Sequence, residues 1–112
     1  MSGFSNTTGG SNTYLGFNAG LNNDTHPNNV AVGHRALEYP VQAFNTAIGS
    51  GSQKGVSGSS GGGNTSLGYN SLYSITSGFT NTCLGTNSGG AITIGDNNVI
   101  VGGNEAGALT TG

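Results

Sequence analysis

Charge is what this sequence has least of. Among 112 residues only Arg35 and Lys54 are basic, and only Asp24, Glu38, Asp96 and Glu105 are acidic. A net charge of −2 spread this thinly offers no cluster of cations to meet phosphate, so no nucleic-acid partner is expected. It supplies no basic amphipathic face for a membrane surface either. Cys83 is the single cysteine, which excludes an internal disulfide and a thiolate-rich metal centre. The four carboxylates stand far apart in the chain, so neither a paired-carboxylate centre nor a calcium loop is visible. No metal and no cofactor are expected. No run of ~18 apolar residues exists, so membrane insertion is not expected. The opening "MSGFSNTTGG" has neither the basic nor the apolar region of a secretory signal, leaving release without a leader, or a piece of a longer protein, as the expectation. No segment carries an i, i+3, i+4 apolar stripe, so no helix is predicted. Asn-Gly and Asp-Gly pairs are also missing, and with them the strongest signal for a tight antiparallel hairpin.

What fills the chain is Gly (23), Asn (15), Ser (13) and Thr (13). That composition ordinarily marks a flexible segment. The order of the residues is periodic, however, and disorder has no reason to keep a register. An Asn-x-x-aliphatic-Gly element recurs as "NTYLG" from Asn12, "NVAVG" from Asn29, "NTAIG" from Asn45, "NTSLG" from Asn64, "NTCLG" from Asn81 and "NVIVG" from Asn98. Successive Asn positions differ by 17, 16, 19, 17 and 17 residues. A period of that size reads as a solenoid with one repeat per turn. A second element follows two residues after each Gly, bringing Ala19, Ala36, Ser52, Ser71 and Ser88 into register. In the sixth copy Glu105 takes that place and the small Ala106 follows.

The pentad is rich in residues that suit a pleated surface, and a Gly follows where the backbone must bend. Alternation puts Thr13, Val30, Thr46, Thr65, Thr82 and Val99 on the same face as Leu15, Val32, Ile48, Leu67, Leu84 and Val101. The intervening column, Tyr14, Ala31, Ala47, Ser66, Cys83 and Ile100, is mostly small and faces the other way. Two fairly apolar faces indicate parallel strands covered on both sides. The chain is therefore predicted to be all-β, a single repeat domain over 1–112, forming a parallel β-solenoid or β-roll of about six 16–19-residue coils starting near 12, 29, 45, 64, 81 and 98. Like residues then stack into ladders, Asn on Asn and aliphatic on aliphatic. An exposed aliphatic column of six would forfeit roughly 10 kcal/mol of burial at ~25 cal/mol per Å². Self-association along the rod is the simplest way to cover it.

The pattern Asn-Thr-small-aliphatic-Gly-aromatic-Asn-Ala/Ser, clearest in "TTGGSNTYLGFNAG" (7–20) and "GGGNTSLGYNSL" (61–72), resembles the repeats of phage tail-fibre and related surface-fibre proteins. Such fibres often end in a self-cleaving endosialidase-type chaperone. More loosely, the pattern is similar to the head repeats of trimeric autotransporter adhesins, where β-rolls of three chains pack around a threefold axis. The resemblance runs over residues 7–109. It implies a homotrimeric, non-enzymatic fibre segment on a virion tail or cell surface that carries or forms an attachment surface.

Little in the sequence suggests catalysis. Asp24 lies two residues from His26, but no serine sits in an activating elbow. The run "GSSGGGN" lacks the Lys-Ser/Thr ending of a phosphate loop. Cys83 occupies a small-residue position and is expected to be an inert packed thiol. The aromatics are the better candidates. Phe17 and Tyr69 follow the bend glycine, and Tyr39 and Tyr73 lie in the variable intervals. Rings flanked by amides and hydroxyls suit sugar stacking, so these four are the candidate ligand-binding residues and a host-surface glycan the candidate partner; plugging gaps between coils is the competing role. Segments 21–28 and 53–63 are the expected protruding loops. An ice-binding solenoid, suggested by the Thr column, and a filament subunit polymerising end to end are the alternatives to the fibre reading.

Overall fold

The computed structural model describes residues 1–39 and 42–103. Six three-residue strands form one parallel sheet in chain order: β1 Thr13–Leu15, β2 Val30–Val32, β3 Thr46–Ile48, β4 Thr65–Leu67, β5 Thr82–Leu84 and β6 Val99–Val101. Thr13 pairs with Val30, Thr46 with Thr65, and Thr82 with Val99, so the repeat register is the sheet register. This is a parallel β-solenoid of about five turns, without a helix among the described residues. The sixth copy's second element, Glu105 and Ala106, lies outside the described residues.

Two ladders fix the coils to one another. The first is the Asn column. Asn29 N donates to Asn12 Oδ1 at 2.8 Å, and the same bond runs from Asn45 to Asn29 (2.9 Å), Asn64 to Asn45 (3.0 Å), Asn81 to Asn64 (2.9 Å) and Asn98 to Asn81 (3.0 Å). Side-chain amides add to it: Asn98 Nδ2 donates to Asn81 Oδ1 at 2.8 Å and Asn81 Nδ2 to Asn64 Oδ1 at 3.1 Å. Asn suits this place because one short side chain offers both an acceptor for the next coil and donors for its own turn, as Asn29 Nδ2 to His26 O (3.2 Å), three residues earlier, illustrates.

The second is the bend glycine. Gly16, Gly33, Gly49, Gly68, Gly85 and Gly102 all lie at φ between 127° and 137°. A Cβ on Gly49 would sit 2.5 Å from the carbonyl oxygen of Gly68 in the next coil. The backbone angle and the close approach each demand glycine.

Residues 1–11 add a layer that the repeat starting near Asn12 does not include. Gly3 N donates to Ala19 O, Ser5 N to Leu21 O and Thr7 N to Asp24 O, the spacing of one further coil. The predicted loops are exposed in part, at Asp24, Thr25, Asn28, Val56, Ser57, Gly58 and Ser60, and buried in part. Asn23 is buried, and so are Gln53, Ser59, Gly61 and Gly62. The two extra residues of the long repeat are absorbed between Gly55 and Ser60, where Ser59 Oγ donates to Val56 O (2.7 Å) and accepts from Val56 N (3.0 Å).

The interior is thin, and it is filled by a size rule within each coil. In the five coils described through that position, the middle strand residue faces the residue six positions later and one of the two is small: Tyr14 with Gly20, Ala31 with Leu37, Ala47 with Gln53, Ser66 with Leu72, Cys83 with Gly89. A Cβ on Gly20 would lie 2.5 Å from the Tyr14 ring, and one on Gly89 would lie 2.4 Å from Cys83 Sγ. Two apolar clusters result, one around Ala19, Ala31, Ala36, Leu37 and Ala47, the other around Leu72, Ile75 and Cys83. Between them sits a polar layer in which Gln53 Nε2 donates to Asn45 Oδ1 (2.7 Å) and Ser52 Oγ meets Ser66 Oγ (2.7 Å).

The sequence predicts strands covered on both faces. In the single chain only the inner face is covered: Leu15, Ile48, Leu67, Leu84, Val99 and Val101 remain exposed on the outside.

Candidate functional site

Three of the six charged residues converge. Glu38 lies nine residues after Asn29, Lys54 nine after Asn45 and Tyr73 nine after Asn64, so coil register stacks the three in one column. Arg35 Nε donates to Glu38 Oε2 at 2.8 Å, and Lys54 Nζ is 3.8 Å from the same oxygen. The Glu38 side chain is 6 % exposed, whereas that of Arg35 is 42 % exposed. Both basic residues of the chain thus meet one buried carboxylate. The hydrogen bond and charge of Glu38 raise the Arg35 pKa further, so this cation is permanent.

The aromatics join the same site. Lys54 Nζ lies 5.1 Å from the Tyr73 ring centroid and 5.4 Å from that of Tyr39, within the range of cation–π attraction. A cleft of about 190 Å³ opens beside them, lined by His34, Arg35, Ser50, Gly51, Lys54, Tyr69, Asn70 and Tyr73. Gly51, at φ 68°, borders the cleft beside Asn70, whose Oδ1 would lie 2.2 Å from a Cβ there. One coil away Phe17 stacks on His34 with ring centroids 5.7 Å apart and planes at 17°. Of the four candidate aromatics, Tyr69 and Tyr73 line the cleft, Tyr39 flanks it through Lys54, and Phe17 reaches it only through His34.

Arg35, Glu38, Lys54 and His34 are the residues that reading the sequence missed. The signal was present: column arithmetic on the repeat puts Glu38 beside Lys54. Attention to clusters along the chain passes over it, because the two are sixteen residues apart. A second signal exists only in the backbone. Arg35 has φ 58°, at a register position held elsewhere by Asn18, Gly51, Asn70 and Asn87, all also left-handed. Asn and Gly accept that conformation readily, whereas an ordinary L-residue loses about 1–2 kcal/mol there.

The other candidates separate from this site. Thr25 Oγ1 donates to Asp24 Oδ1 at 3.4 Å, while His26 Nδ1 is buried without a partner, so the described structure shows no Asp24–His26 hydrogen bond. Cys83 is buried, and that burial pushes its thiol pKa up against an opposing hydrogen bond from Ser88. Among the described residues no three His, Cys, Asp or Glu side chains gather as a metal centre. Comparison with family models, curated proteins and solved structures finds no match for this chain.

Proposed function

We propose that this chain is a non-enzymatic structural and adhesive segment of a homotrimeric fibre, of a phage tail or a cell surface, that attaches to a host-surface glycan. The exposed aliphatic column of the sheet carries this reading. Leu15, Ile48, Leu67, Leu84 and Val101 lie in one registered line, with 37–67 % of each exposed. Six strands at ~4.8 Å make that strip roughly 25–30 Å long, and a continuous apolar strip marks an interaction surface. Three identical chains cover it without further sequence, because symmetry repeats the same patch on each. The cleft of Tyr69, Tyr73 and Asn70 then faces a ligand as rings and amides do in sugar recognition.

Light-scattering mass and a glycan array test it together. The expected mass is three copies of the 11.0 kDa chain, with Leu67→Lys/Leu84→Lys returning a folded monomer. A native chain that stays monomeric at high concentration overturns the trimer. Mass that grows with concentration beyond three copies favours the polymerising filament. An array without hits removes the glycan. A second reading has its own observation: Thr13, Thr46, Thr65 and Thr82 share one outward column of a parallel sheet, an arrangement suited to ordering water against ice. A monomer showing thermal hysteresis selects that reading.

A further inference from the structure

We infer that the cleft between Arg35 and Tyr69 binds an acidic monosaccharide unit through its carboxylate. This inference rests on the glycan-attachment reading and names the class of sugar. Three independent observations point to it. First, the only two basic side chains of the chain converge at the cleft, where one buried carboxylate offsets only one of them. In a molecule otherwise almost free of charge, this leaves a local excess of one positive charge at a concave site. An uncharged sugar has no use for that excess.

Second, the roles of the two cations differ. Lys54 lies within cation–π range of both the Tyr39 and Tyr73 rings, with its side chain only 16 % exposed. Arg35 is anchored at Nε by Glu38 and otherwise reaches solvent. An anchored guanidinium suits a carboxylate, which it meets with planar, charge-assisted hydrogen bonds. Third, Arg35 occupies a left-handed backbone position that Asn18, Gly51, Asn70 and Asn87 fill in four other coils. The arginine side chain is thus the departure from the repeat at this register, and it stands at the cleft. The size of the cleft sets the ligand. At about 190 Å³ it falls under the ~300 Å³ at which pockets for larger ligands begin, leaving room for one ring. The exposed Tyr69 ring offers the stacking face, and Asn70 and Ser50 offer partners for hydroxyls.

The test is calorimetric titration of the native chain with an oligogalacturonate trimer, its methyl ester, a neutral galactose trimer and a sulfated galactose trimer. The acid is expected to bind at least about tenfold tighter than its ester. Its affinity is expected to fall between about 0.05 and about 0.5 M salt, while that of the ester stays constant. Arg35→Asn, which suits the left-handed position, is expected to keep the melting temperature and lose that preference. Equal affinity for acid, ester and neutral sugar overturns the acidic-sugar inference and leaves glycan attachment standing. Tighter binding of the sulfated trimer than of the uronate replaces carboxylate by sulfate and overturns the inference as stated. Array hits that survive Arg35→Asn unchanged overturn it too. Binding of no sugar in either assay overturns both readings. Should Arg35→Asn fail to fold, the acid-against-ester comparison on the native chain still decides.

Discussion

At the scale of single residues the fold depends on positions where one side chain type alone is compatible. Gly49 combines φ 127° with a neighbour's carbonyl 2.5 Å from any Cβ. Gly49→Ala is expected to cost more than about 3 kcal/mol, because the strain of φ adds to a backbone clash. Gly10 has nothing within 4 Å of such a Cβ and no positive φ, so Gly10→Ala should shift stability by less than about 0.5 kcal/mol. Urea denaturation of the two variants checks both, and a similar loss at Gly10 would refute the geometric account. Tyr14 shows a different residue-scale effect. Its hydroxyl accepts a hydrogen bond from Asn23 Nδ2, and burial raises its pKa against that bond. A raised phenol pKa means the unfolded chain releases the proton first. Stability from this group is therefore complete below about pH 10 and declines as pH rises from there toward the folded value. Tyr14→Phe is expected to lose about 1 kcal/mol at neutral pH and to show a shallower alkaline decline of melting temperature. A decline equal to that of the native chain would assign the alkaline loss elsewhere.

At the scale of the element, the unit is the coil, in which a three-residue strand and the turn opposite it share one small interior space. Tyr14 fills that space in its coil because Gly3 and Gly20 leave room on either side. Leu37 and Leu72 fill it from the other side, at φ 49° and 51°, against Ala31 and Ser66. The two fillings should be interchangeable. Tyr14→Ala alone opens a cavity and is expected to cost about 3–5 kcal/mol. Gly20→Leu alone drives a side chain into the Tyr14 ring. The double variant rebuilds the Ala31/Leu37 arrangement and is expected to recover at least about 2 kcal/mol relative to the sum. Additive losses in this double-mutant cycle would show that the coil does not work as a complementary pair.

At the scale of the whole molecule, stability is a sum over neighbouring coils, since each strand pairs only with the one before and the one after. Excising residues 64–80 removes one 17-residue repeat and joins Gly63 to Asn81, which sets Thr46 opposite Thr82 in the same register. The shortened chain is expected to remain a folded β-protein with a lower melting temperature and a smaller denaturant m-value, because less surface is exposed on unfolding. Loss of the β circular-dichroism signal would mean the stack is cooperative beyond nearest neighbours. The same one-dimensional order explains the polar middle layer. Gln53 and Ser66 bond to partners in their own and adjacent coils, so a hydrogen-bonded layer can separate two apolar clusters without breaking the stack.

The sequence by itself determined the coil. The spacing of Asn12, Asn29, Asn45, Asn64, Asn81 and Asn98 placed every strand, its direction and its register, because a repeat that must hydrogen-bond to its own copy cannot shift without breaking each ladder at once. It also singled out the aromatics Tyr39, Tyr69 and Tyr73 as candidates. Only the tertiary structure decided that they surround Arg35, Glu38 and Lys54, that Arg35 sits in a left-handed turn, and which residues of the predicted loops are buried. The physical reason is that periodicity fixes which residues lie above one another. Backbone angles and side-chain packing decide which of the neighbours touch, and these vary from coil to coil while the period stays nearly the same.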